Sequence, residues 1–202
     1  SAPALDFAPG AASLRGATIV DRVAGLYVTG SKGVLVASAG RDVNLIGALV
    51  ANNGKEGTTE IGAGRDLNLG TVTTARQDAT VRDAGNYRAE ASTREVGTRI
   101  ETSGDISLHA GRDVNVRAAT VNSADGALEV AAKRDITIDA GQSTSALNVG
   151  RRTEDSGFWG SDRSMEQGTF GSTGVIGSSL GGKTVVLDAG NDIRIRGSNV
   201  VS

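Results

Sequence analysis

Apolar and polar positions alternate along this chain in runs of only three to four residues. Val43-Asn44-Leu45, Leu67-Asn68-Leu69, Val114-Asn115-Val116, Ile136-Thr137-Ile138 and Ile193-Arg194-Ile195 each put two apolar residues on one side and a polar one on the other. That is the period-two signature of a strand with one buried face. A second set stands eight residues upstream, where Ile106/Leu108, Leu128/Val130 and Val185/Leu187 precede the apolar pairs at 114/116, 136/138 and 193/195. A third run follows each, as in Ala48-Leu49-Val50-Ala51, Ala118-Ala119-Thr120-Val121 and Ser198-Asn199-Val200-Val201. Glycine, aspartate and asparagine between the runs supply turns, and no stretch carries helical periodicity. The pattern predicts units of three short strands.

The middle strand of each unit opens on a repeated octamer: Ala39-Gly40-Arg41-Asp42-Val43-Asn44-Leu45-Ile46, then copies beginning at Ala63, Ala110, Ala132 and Ala189. The copy at Ala132 has Lys133 in place of glycine, and the copy at Ala189 has Asn191 in place of arginine. Its aspartates, Asp42, Asp66, Asp113, Asp135 and Asp192, are 24, 47, 22 and 57 residues apart. The unit is therefore 22 to 24 residues, with one double step and one step enlarged by an insertion. Three short strands in a unit of that length predict an all-β chain, a right-handed parallel β-helix of about six to eight coils stacked about 4.8 Å apart. Arg41/Asp42, Arg65/Asp66, Arg112/Asp113, Arg134/Asp135 and Asp192 then form a turn ladder at one corner. Stacked aspartates would repel one another, so each is expected to accept backbone N–H bonds in an Asx-type turn while arginine offsets its charge.

Two stretches depart from the pattern within what reads as a single β-helix over 1-202. Residues 76-99 are highly charged and poor in large apolar side chains, which predicts an extruded loop or hairpin turning at Asp83-Ala84-Gly85-Asn86, with Tyr87 its one aromatic. Residues 142-183 form the second insertion, rich in Gly, Ser and Thr, and hold the single Trp, the single Met and two of the three Phe. Aromatic and arginine side chains dominate binding hot spots, so Phe158, Trp159, Arg151, Arg152 and Phe170, with Tyr87, are the candidate contact surface. The competing expectation is that Phe158 and Trp159 only pin the loop to the outside of a coil. Residues 1-33 contain both prolines and read as an irregular first coil.

Composition narrows the function. Glycine supplies 29 of 202 residues and aromatics only 3%, which suits a narrow core of stacked aliphatic side chains. A net charge of −2 with both signs dispersed gives no basic face for nucleic acid. With no cysteine and one histidine, His109, disulfides, thiolate metal sites, Cys/His nucleophiles and multi-histidine centres are excluded. Alternation points His109 outward. The octamers also lack the glycine density of calcium-binding β-rolls, and the basic residue beside most of the aspartates repels a cation. No apolar run is long enough to span a membrane as a helix. No cofactor or metal is expected, and the chain reads as a non-enzymatic piece of something longer whose export signal lies elsewhere.

The octamers, the lead-in Gly104-Asp105-Ile106-Ser107-Leu108-His109-Ala110-Gly111, and Leu187-Asp188-Ala189-Gly190-Asn191-Asp192-Ile193 followed by Gly197-Ser198-Asn199-Val200-Val201 resemble the haemagglutinin repeats of filamentous haemagglutinin and of contact-dependent-inhibition exoproteins. The resemblance runs from about Val34 to the end. It implies a repeat-stalk segment of a large secreted Gram-negative surface filament, exported with an outer-membrane two-partner-secretion transporter. Such filaments contact target cells through a surface receptor or glycan, to adhere or to deliver a C-terminal toxin. The polar insertion with its Phe-Trp-Gly centre leans toward the inhibition-type group. Two other classes compete: a β-helical carbohydrate-active enzyme using stacked aspartates such as Asp42, Asp66, Asp113 and Asp135, and a phage tail-spike stalk. Catalytic groups should be exceptions to a repeat rather than the repeat itself, which weighs against the first.

Overall fold

A computed structural model describes residues 12–20, 23–157 and 160–202. These residues are all-β, built from twenty strands and no helix. Three sheets are formed wholly or partly by parallel pairing. Numbered in chain order, the six-stranded sheet contains β2 (Gly25–Val28), β5 (Leu49–Asn52), β9 (Arg99–Thr102), β12 (Thr120–Ser123), β17 (Ser179–Gly181) and β20 (Asn199–Val201). The five-stranded sheet contains β3 (Val34–Ala39), β6 (Thr58–Ala63), β10 (Asp105–Ala110), β13 (Ala127–Ala132) and β18 (Thr184–Ala189). The third aligns β4 (Val43–Ile46), the start of β7 (Leu67–Asp83), β11 (Val114–Arg117), β14 (Ile136–Asp139) and β19 (Ile193–Arg196). The chain visits the six-stranded, five-stranded and third sheet in fixed rotation. Among the described residues that makes five complete triplets, fewer than the expected count because the long hairpin strands absorb much of the chain.

Register explains why the alternation is so regular. Leu26, Val50, Ile100, Val121, Leu180 and Val200 form one column across the six-stranded sheet. Val43, Leu67, Val114, Ile136 and Ile193 form another in the third sheet, with Leu45, Leu69, Val116, Ile138 and Ile195 two residues on. In the five-stranded sheet Ala37, Ile61, Leu108, Val130 and Leu187 align. The middle members of these columns are essentially inaccessible, and all belong to one apolar cluster. Each such Leu or Ile gains about 1.5–3 kcal/mol by leaving water, so narrow columns without aromatics supply the stabilising term. Leu180 is fully buried, so Ser179–Gly181 pairs within the sheet although it falls inside the range read as the second insertion.

The corners need particular backbones. After the third-sheet strands the chain turns with positive φ at Gly47 (56°), Ala118 (46°) and Gly197 (57°). The two copies without such a turn are those where the strand runs on, into β7 after Leu69 and β15 after Asp139. At the octamer's second position a Cβ on Gly111 would lie 2.1 Å from the Gly64 carbonyl oxygen, and one on Gly64 would lie 2.2 Å from that of Gly40. Glycine lets successive backbones approach there.

By compactness the chain divides into two units. The parallel sheets make up one, comprising Val20–Val72, Glu95–Gln142 and Val175–Ser202. The other comprises Ser1–Ile19, Thr73–Arg94 and Ser143–Gly174. Its described part is an antiparallel sheet in the order β1 (Ala12–Thr18), β7, β8 (Asn86–Gly97), β15 (Gly141–Gly157) and β16 (Gly160–Ile176). These long strands are mostly polar, with Ala79, Val81 and Ala89 buried but outside the apolar cluster of the parallel sheets. The β7–β8 turn is held by Asp83, whose carboxylate accepts the N–H groups of Gly85 and Asn86 and the Asn86 side-chain amide.

Candidate functional site

The Arg-Asp positions form a staircase between triplets. Arg65 Nε donates to Asp42 at 2.7 Å, Arg112 Nε to Asp66 at 2.7 Å and Arg134 Nε to Asp113 at 2.7 Å. In each case the guanidinium's second nitrogen reaches the other carboxylate oxygen. Each arginine also lies 3.4–3.5 Å from the aspartate of its own octamer. A guanidinium therefore sits between two carboxylates one strand apart, which is how like charges can stack without repelling. Where Asn191 replaces arginine, its amide donates to Asp135 at 2.8 Å and the step survives. The aspartates also accept backbone N–H bonds from the next octamer rather than from their own turn, Asp66 N to Asp42 at 3.3 Å and Asp192 N to Asp135 at 3.1 Å. Arg41, on the first step, has no earlier carboxylate in the staircase.

This environment sets the titration. The Arg65 guanidinium holds Asp42 below the ordinary carboxylate range, against the opposing effect of burial, with the Asp66 N–H helping. The Asn191 amide does the same for Asp135, again over burial and aided by the Asp192 N–H. Asp83 is lowered by the Asn86 amide and the Gly85 N–H. Asp42, Asp66 and Asp113 each carry a bidentate arginine, so both oxygens of each carboxylate are engaged.

Beside the staircase runs a ladder the sequence reading did not single out. Asn68 donates to Asn44 at 2.8 Å and Asn115 to Asn68 at 2.9 Å, and it ends where Thr137 takes the position. Glu95 is a further unanticipated residue. Burial pushes its carboxyl upward, but the Arg117 guanidinium, the Gln142 N–H at 2.6 Å and the Thr71 hydroxyl together bring it below its ordinary value. Thr71 begins the excursion into the first hairpin and Gln142 lies at the start of β15, so one carboxylate ties both exits. The re-entries have their own device. Thr98, fully buried, donates to Leu45 O at 2.6 Å and accepts from Ala48 N at 3.3 Å; Ser178 donates to Asp139 O at 2.7 Å and accepts from Ala119 N at 3.2 Å. The available signal was a hydroxyl in a slot occupied by Ala48 and Ala119 in neighbouring units.

Of the candidate contact residues, Tyr87, Arg151 and Arg152 come together near the β7–β8 turn, and Phe170 lies on β16. Phe158 and Trp159 lie outside the described residues. Arg151 is exposed on β15. Arg152 pairs with Glu154 at 3.0 Å, and its N–H donates to Asn86 at 3.0 Å. Tyr87, half-buried, lies over Gly150 on the paired strand. Phe170 is 62% exposed. His109 lies over Gly62 in the five-stranded sheet, half exposed, its Nε2 3.9 Å from Glu60. Among the described residues no three His, Asp or Glu side chains converge in a way that could hold a metal ion.

Two comparisons give matches. The Hemagglutinin repeat family matches residues 83–202. The chain is 29% identical over 209 aligned positions to a protein from Burkholderia pseudomallei (strain 1026b) named tRNA nuclease CdiA-2. The alignment covers 88% of the chain but 6% of that relative's length. No solved structure matches the chain.

Proposed function

The chain belongs to the haemagglutinin-repeat family of filamentous haemagglutinin and contact-dependent-inhibition exoproteins, and from that premise we propose that it is a repeat-stalk segment of a large secreted Gram-negative filament. In this reading the three sheets wrap one apolar column as a right-handed parallel β-helix, with the hairpins as extruded insertions. The observation that carries it is the unbroken register of buried residues through all three sheets, since every triplet rests on its neighbours and length is gained by adding triplets. The role is mechanical and adhesive rather than enzymatic, in keeping with carboxylates consumed by the Arg-Asp staircase. The parent filament leaves the cell through an outer-membrane two-partner-secretion transporter and is displayed at the surface. The insertions then meet a receptor or glycan on a target cell, for adhesion or for delivery of a C-terminal toxin to a neighbouring bacterium.

Binding of the purified chain to whole Gram-negative cells and to cultured animal cells, beside a variant lacking residues 156–170, tests the contact role. Selective binding to one cell type that the deletion removes is the expected result and names the target class. Equal binding to both, or none, would leave a spacer without a contact surface.

A further inference from the structure

Two concavities on the antiparallel hairpin sheet share Arg76, Asp78 and Ser92 and so form one trough. One, of about 430 Å³, lies over β1, β7 and β8; the other, of about 350 Å³, extends across β7, β8, β15 and β16. All the lining residues belong to the hairpin unit, so the site does not depend on the stalk reading.

The two ends differ in chemistry. On the first, the carboxylate of Asp78 is taken by Arg15 at 3.2 Å, and nearby Glu90 is taken by Arg88 at 2.9 Å. Arg76 and Arg94 have no ion-pair partner among the described residues, and both line the same concavity with the hydroxyl of Ser92, while the Thr74 hydroxyl donates to the Arg94 carbonyl at 3.1 Å. Two uncompensated guanidiniums beside the Ser92 hydroxyl suit an oxyanion, which planar N–H pairs grip in bidentate fashion. At the other end Leu147 and the largely exposed Phe170 offer an apolar platform beside Ser145 and Ser172, whose hydroxyls are 2.8 Å apart. Across the sheet Arg94 on β8 and Arg76 on β7 stand two and three strand spacings from Phe170 on β16, or about 10 and 14 Å between backbones, a gap that the long arginine side chains shorten.

We propose that this trough binds a sugar carrying a phosphate or sulfate ester, the ester on Arg76 and Arg94 and the ring's apolar face against Phe170. Inorganic ions would use only one end. Single-stranded nucleic acid needs successive stacking platforms, and the trough has one aromatic ring. The combined volume falls in the range of sites for small ligands.

Titration of the purified chain with glucose 6-phosphate, glucose 6-sulfate, glucose and inorganic phosphate tests this, read by calorimetry or by amide chemical shifts. The esters are expected to bind at least about ten-fold more tightly than glucose, with affinity falling as salt rises. Preference for one ester identifies the source of the anion. An Arg76→Gln/Arg94→Gln variant should lose the ten-fold preference with an unchanged melting midpoint, because neither arginine holds an ion pair among the described residues. Phe170→Ser should weaken the esters but not inorganic phosphate. Equal affinity for glucose and its esters, a double variant that keeps the preference, or no saturable binding of any probe would overturn the proposal.

Discussion

Asp66 and Arg112 are the pair through which the staircase can be weighed. Asp66 is 11% exposed at its side chain and Arg112 is 44% exposed, so the pair lies between a solvated surface ion pair and a buried one. Solvated pairs contribute about 0.2–1 kcal/mol and hydrogen bonds to charged groups about 1.5–3 kcal/mol. Asp66→Ala removes the bidentate contact from Arg112 and the weaker one from Arg65 at 3.5 Å, leaving Arg65 on Asp42 and Arg112 with only Asp113 at 3.4 Å and free to turn to water. We expect it to cost about 2 kcal/mol. Arg112→Ala leaves Asp66 with Arg65 still beside it and should cost about 1–1.5 kcal/mol. Because the shared contact is lost in either single variant, the double variant should cost about 1 kcal/mol less than the sum. Urea denaturation of the four proteins, with hydrogen exchange at Arg65–Leu69 and Arg112–Val116, reads both the total and its location. Costs that add to within about 0.3 kcal/mol would show that the staircase is a geometric regularity without energy, and that the reasoning from stacked charge is wrong.

Other consequences are checked with the same assays. Thr98→Val keeps the shape but leaves the Leu45 carbonyl and the Ala48 N–H without their partner, so it should destabilise by about 2–3 kcal/mol, whereas Thr98→Ser should cost less than half of that. Gly47→Ala forces a Cβ into positive φ and to within 2.8 Å of Val72, a loss of about 1–2 kcal/mol in chemical denaturation, while Ala118→Gly should be neutral or slightly stabilising. Leu69→Ala should cost about 2–5 kcal/mol, with exchange protection lost first in β4, β7 and β11. Asp42, Asp83, Glu95 and Asp135 all have lowered carboxyl pKa values when folded, so their stabilisation is complete above the unfolded range near pH 4 and is lost as pH falls through the folded values. Melting temperature should be level from about pH 5 to 7 and fall below about pH 4; a rise on acidification would contradict the assignment.

Strand positions were legible because buried columns leave a local trace. Val114 and Val116 must be apolar in every copy, and the eight-residue offset to Ile106 and Leu108 follows from one corner of fixed length. The octamer's Arg and Asp were equally visible, but their partner was not. An Asx turn uses neighbours in sequence, whereas the structure joins Arg112 to Asp66 across 46 residues. Glu95 acts where the hairpins leave the sheets, a position used once, so repetition cannot reveal it, whereas Thr98 and Ser178 share one re-entry slot whose only trace is a hydroxyl in place of alanine. The trough on the hairpin sheet was hidden for a similar reason: Arg76, Arg94 and Phe170 come from three strands whose pairing the sequence alone does not disclose.

The central claim is that successive repeat units stack one strand apart in continuous register. The chain has no cysteine, so nitroxides can be placed at will on outward positions of the third sheet. Pairs at Asn44 with Asn115, Thr137 and Arg194 lie two, three and four strands apart. Pulsed electron-spin measurements should return distances that lengthen by about 4.8 Å at each step, although the sequence separation grows unevenly. Distances that instead follow sequence separation, or that fail to lengthen between Thr137 and Arg194, would contradict the stack.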